Sequence, residues 1–70
     1  MGYKTEKQAV TQAIKIAKKV KHDRFIVYVR DGLYDDPNNL YQVTDLLGLQ
    51  TFFAGDRCTA TITPDGAVHW

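Results

Sequence analysis

Arg24-Phe25-Ile26-Val27-Tyr28-Val29-Arg30 is a run dense in β-branched and aromatic residues and bounded by charge at each end, which predicts a strand. Phe25, Val27 and Val29 point one way and Ile26 and Tyr28 the other, so both faces are apolar and the strand belongs at the centre of a sheet. Asp31-Gly32 closes it with turn chemistry.

Upstream of this strand, Thr5 followed by Gln8 has the spacing of a capping box, in which hydroxyl and amide satisfy backbone donors left free by a first helical turn. A helix is therefore expected from Glu6. Ala9, Ala13, Ile16 and Val20, with Val10, Ile14 and Ala17 beside them, recur at three- and four-residue spacing and form its core-facing stripe. Glu6 near the start and Lys18, Lys19 and Lys21 near the end complement the helix dipole, and the helix should end near His22.

Downstream, Asp36-Pro37 reads as a helix start, with a capping acid and a ring whose missing donor costs nothing at the first position. This predicts a second helix over Pro37–Leu47, lined by Leu40, Val43 and Leu47 and ended by Gly48. Cys58, Ala60 and Ile62 then alternate with Arg57, Thr59, Thr61 and Thr63, the pattern of a half-buried strand. Pro64-Asp65-Gly66 turns it into Ala67–Trp70, and Ala54-Gly55-Asp56 connects it back to an extended Leu49–Phe53. The expected fold is α+β, one domain over residues 1–70. Two helices pack on one face of a mainly antiparallel four-stranded sheet, in the order α-β-α-β-β-β.

Composition narrows the class. A chain of 70 residues with 44% hydrophobic content can bury a core and is too apolar to stay disordered. It is also too short to combine readily a deep substrate cavity with a catalytic array. The single cysteine forms no internal disulfide, which points to the cytoplasm. No run of about 18 apolar residues offers a membrane span, and Met1–Lys7 lacks the apolar stretch of a signal peptide. Met1-Gly2 has Glu6 where a myristoylation signal carries Ser or Thr.

Charge is segregated along the chain behind a net charge of only +1. Residues 1–30 carry Lys4, Lys7, Lys15, Lys18, Lys19, Lys21, Arg24 and Arg30 against Glu6 and Asp23. Residues 31–70 carry Arg57 alone against Asp31, Asp35, Asp36, Asp45, Asp56 and Asp65. A fold that keeps these groups apart in space would have a basic side and an acidic side.

No catalytic constellation stands out, and the expectation is a non-enzymatic protein without cofactor or metal. Cys58 with His22 or His69 is the one conceivable nucleophile pair, but Cys58 sits on the apolar side of its strand, where a thiol is a small unactivated hydrophobe. No Cys-x-x-Cys, His-x-x-x-His or calcium-loop spacing occurs, and every glycine falls at a terminus or a turn, so no glycine-rich phosphate loop forms.

Two surfaces carry functional expectations. Lys7, Lys15 and Lys18, with Lys19 and Lys21 flanking, lie along the solvent side of the first helix, where they would attract phosphates or an acidic surface or simply keep the helix solvated. Val43-Thr44-Asp45-Leu46-Leu47-Gly48-Leu49 resembles the first helix and turn of a helix-turn-helix, and the hairpin about Pro64-Asp65-Gly66 resembles a wing. The order of elements is then similar to a winged helix, and the resemblance implies a nucleic-acid-binding regulator. Gln50–Asp56, where the recognition helix would fall, is short, aromatic and without a basic residue.

The second surface is aromatic and acidic: Tyr34, Asp35, Asp36, Tyr41, Phe52, Phe53 and Asp56. The aromatic residues exceed what one small core readily hides, and adjacent Phe52 and Phe53 point to opposite faces if extended. They serve either as anchors for a protein partner or as cover for the second face of the sheet, which a second copy of the chain would also cover. The leading expectation is an intracellular module that binds or inhibits a protein, a way in which small single-domain proteins of mobile elements often act.

Overall fold

The computed structural model describes residues 2–70. The chain runs β1 (Gly2–Tyr3), α1 (Glu6–Val20), β2 (Arg24–Tyr28), two single 3-10 turns (Leu33–Asp35 and Pro37–Asn39), β3 (Tyr41–Thr44), α2 (Leu46–Gln50), β4 (Arg57–Ile62) and β5 (Val68–His69). The fold is α+β: two helices pack with one five-stranded sheet of order β1-β3-β2-β4-β5, antiparallel at every pairing.

The capping box forms as the sequence predicts. Gln8 N donates to Thr5 Oγ1 at 3.2 Å, and Thr5 N donates to Gln8 Oε1 at 3.3 Å. At the other end Lys21 turns left-handed, φ 60 and ψ 35, and its N–H donates to the Ala17 carbonyl at 2.8 Å. The buried stripe centres on Ala9, Ala13 and Ala17, which are fully buried. These small residues let the helix axis approach the sheet, where Ile26, Ala60 and Ile62 complete the cluster. Tyr3, Val10, Ile14, Tyr41, Val43 and Val68 close around it.

β2 is central, between β3 and β4. The pairings make β1 parallel to β2 across β3, and β3 parallel to β4 across β2. Each parallel pair needs a connection that crosses a face of the sheet. Both connections step the same way across the sheet from strands of opposite direction, so if each is right-handed they lie on opposite faces. Burial agrees: Ile26 packs in the α1 cluster, whereas its neighbour Val27 is also fully buried yet lies outside that cluster. The helices therefore cover two faces rather than the single face expected, and residues 45–56 form the second cover.

Residues 37–53 depart most from expectation. Asp36 does cap, accepting from Asn38 N at 2.9 Å, but the helix lasts one 3-10 turn. Tyr41-Gln42-Val43-Thr44 instead pairs with Tyr28 through Phe25, because ladder bonds and cross-strand contacts outweigh a local helix signal. Helix resumes after Asp45, whose Oδ1 accepts from Gly48 N at 2.8 Å. Gly48 lies inside α2 rather than capping a helix, and an added Cβ there would collide with Thr44 Oγ1. Leu49–Phe53 is helix end and turn, not strand. With β1 and β3 added, the sheet has five strands rather than four.

A second correction concerns Cys58. The β2–β4 register slips between Ile26 and Val27, so Ala60 faces Ile26 while Cys58 faces Val27. The extra residue of this bulge breaks the alternation that grouped Cys58 with Ala60. Cys58 is exposed, not a buried hydrophobe.

Candidate functional site

The aromatic and acidic residues of the second half do not gather in one place. Tyr34 and Asp35 sit in the β2–β3 connection and both have positive φ, 56 and 58. Tyr34 is 84% exposed. Asp36 is occupied locally: besides capping Asn38 it accepts from Asn39 Nδ2 at 3.0 Å. Tyr41 lies on the α1 side, its ring centroid 5.3 Å from that of Tyr28. Asp56 is half-buried in the turn before β4, its N–H donating to the Phe53 carbonyl at 3.0 Å.

Phe52 and Phe53 lie on turns, not on the extended segment expected, and do not point to opposite faces, though they differ in burial. Phe53 is 9% exposed and Phe52 62%, with ring centroids 4.8 Å apart in an edge-on contact. Beside them α2 buries none of its residues, leaving Leu46 52% and Leu47 70% exposed. Leu46 and Leu47 escape sequence reading because the expected longer helix turned Leu47 inward and left Leu46 unremarked. The only hint was that Asp45 is as good a cap as Asp36.

An open cleft of about 470 Å³ adjoins this face, with Phe25, Leu46, Leu47 and Pro64 as apolar walls and Asp23, Asp45, Lys21 and His22 at its rim. Asp45 also pairs with Arg24, whose Nη1 is 4.0 Å from Asp45 Oδ2 and whose buried Nε has no partner. This is the one ion pair among the described residues.

A second open cleft, about 570 Å³, lies near the start of α1 and is walled by Tyr28, Tyr41 and Trp70, with Arg57, Glu6 and Thr59 between them. Trp70, one of the surplus aromatic residues, and Arg57 are both exposed, and neither is assigned to a binding surface from sequence. The signal for Trp70 was its place one step past a strand whose alternation points it to the α1 side.

The lysines stand as the helix pattern predicts. Lys7, Lys15, Lys18, Lys19 and Lys21 are all exposed and none is paired with a carboxylate. The basic and acidic groups are not fully segregated in space: Lys21, at the end of the row, shares the 470 Å³ cleft with Asp23 and Asp45. The winged-helix likeness is not kept: Val43–Leu49 is the end of a strand and a five-residue helix, and no helix follows in Gln50–Asp56.

Among the described residues no three His, Cys, Asp or Glu side chains come together as a metal site. No helix among them is long and apolar enough to cross a membrane. In comparisons with known proteins, no family model, no curated protein and no solved structure matches this chain.

Proposed function

We propose that the chain is a non-catalytic interaction module that binds another protein, and by binding can inhibit it, through the outer face of residues 45–56. The observation that carries this reading is the exposure of Leu46, Leu47 and Phe52 together on one short crossover. A cover whose only task was to seal the sheet would turn its leucines inward, and grouped exposed apolar side chains mark contact surfaces. The 470 Å³ cleft beside Leu46 and Leu47 suits a single large apolar side chain of the partner. Within residues 45–56 the only charged side chains are Asp45 and Asp56, so basic groups at the edge of the partner's contact would complement this face.

The test uses Leu47→Ser with Phe52→Ser. Both positions are exposed, so the doubly substituted protein should unfold within about 0.5 kcal/mol of the wild type. In capture from the native host followed by identification, the wild type retains a protein with a basic, apolar contact surface and the variant loses it. Retention of the same proteins by the variant overturns the reading. A concentration-dependent mass abolished by the same substitutions would make the occupant a second copy and overturn the heterologous partner.

A further inference from the structure

We propose that the cleft of Tyr28, Tyr41 and Trp70, together with the lysine flank of α1, binds a nucleotide unit of a single-stranded nucleic acid. The base stacks in the cleft and the phosphates follow the helix. The site is independent of the face formed by residues 45–56.

Three aromatic rings in one open cleft of about 570 Å³ leave room for a planar ring. Tyr28 and Tyr41 pack on each other, tilted by 54° at 5.3 Å, and Trp70 lines the same cleft while 76% accessible. An exposed indole at the mouth of an aromatic cleft is a stacking surface that any base can use. Arg57 reaches the same cleft with no carboxylate paired to it, and a guanidinium there offers a bidentate contact to phosphate. Glu6 supplies an acceptor for an exocyclic amino group or a sugar hydroxyl.

The helix extends this cleft in a definite direction. Lys18 lies against the β4–β5 turn: a Cβ added at Gly66 would sit 2.7 Å from Lys18 Cε and 3.6 Å from Ile14 Cγ2. Lys7 is about three turns earlier and so on the same flank of α1, roughly 16 Å from Lys18 along the axis. Lys18 lies against the hairpin that ends in Trp70, and in the proposed mode the phosphates run from Arg57 in the cleft along the flank of Lys7 and Lys18. Asp65, the acid nearest its far end, is turned onto its own loop, where Thr63 Oγ1 and Ala67 N donate to its Oδ1. Lysine supplies charge without base reading, so binding tolerates many sequences, and stacking on Trp70 requires an unpaired base.

Trp70 is the only tryptophan, so its emission reports stacking directly. Titration at low salt with oligothymidylate, thymidine monophosphate and heparin separates the possible sources. Oligothymidylate should quench Trp70, with an affinity that falls steeply as salt rises. Thymidine monophosphate should quench only at far higher concentration, and heparin should bind without quenching. Trp70→Ala, followed by anisotropy of a labelled oligonucleotide, should weaken binding by about tenfold or more, as loss of one stacked base does. Lys7→Ala with Lys18→Ala should flatten the salt dependence by about two phosphate contacts, and unchanged circular dichroism checks that both variants fold. Equal quenching by the mononucleotide overturns the single-strand assignment. No quenching by oligothymidylate, or tight binding of both polyanions with Trp70 unmoved, overturns the cleft.

Discussion

Two connections cross the sheet, and they use their apolar residues differently. Between β1 and β2 the chain places a 15-residue helix with a complete capping box and three fully buried alanines. Between β3 and β4 it places a five-residue helix that buries nothing, followed by turns in which Phe53 is the one buried side chain. The first crossover turns its hydrophobic residues to the core except Val20 at its end, which is exposed. The second buries one ring, Phe53, and leaves Leu46, Leu47 and Phe52 in water, where they contribute little to folding and are free for recognition.

The largest expected effects test this division directly. Ile26→Ala removes a fully buried side chain beneath α1 and should cost about 2–5 kcal/mol in chemical denaturation. Phe53→Ala removes the anchor of the other cover and should cost about 3–5 kcal/mol if that cover is packed as tightly. A cost for Phe53→Ala below about 1 kcal/mol would show that residues 45–56 add little to stability and that the two covers differ even more than their burial implies.

A smaller effect lies at the end of α1. Lys21 adopts the left-handed conformation that closes the helix, and a side chain in that region is strained relative to glycine. Lys21→Gly should stabilise the protein by about 0.5–1 kcal/mol, read as a rise in thermal midpoint. Destabilisation would mean that the lysine stem packs more usefully than its exposure indicates.

The same contrast explains what the sequence disclosed. α1 was legible because its cap, its stripe and its terminal charges agree, and β2 because both faces of Phe25–Tyr28 are apolar. In residues 37–53 local and long-range signals conflict. Asp36 and Pro37 start a helix turn in fact, and Leu40, Val43 and Leu47 have helical spacing. Tyr41 and Val43 also have strand spacing, and only pairing with β2 decides between them. β1 is two residues long, too short for any periodic signal. The bulge that exposes Cys58 depends on register against β2, which no residue of β4 announces alone. Of the candidate residues, the lysines stand where a helical period puts them. Phe52 and Phe53 differ in burial although their rings touch, a division set by the turns and not by an extended alternation, whereas Leu46 and Leu47 gained their interest only from tertiary placement.

The smallest effect concerns the hairpin that links the basic flank to Trp70. The Thr63 hydroxyl and then the Ala67 N–H, both donating to the Asp65 carboxylate, hold its pKa below the usual carboxylate range. A folded-state pKa below the unfolded one contributes stability that is present above the unfolded value and is lost as pH falls through the folded one. Asp65→Asn keeps an acceptor for Ala67 and Thr63 but no charge. The wild type should therefore exceed the variant in thermal midpoint near neutral pH and converge on it in acid, below the normal carboxylate range. Because Asp65 is fully exposed, solvent screens the difference and it stays small. A difference independent of pH would assign the turn's stability to Pro64 and the left-handed Gly66, φ 89, rather than to the carboxylate.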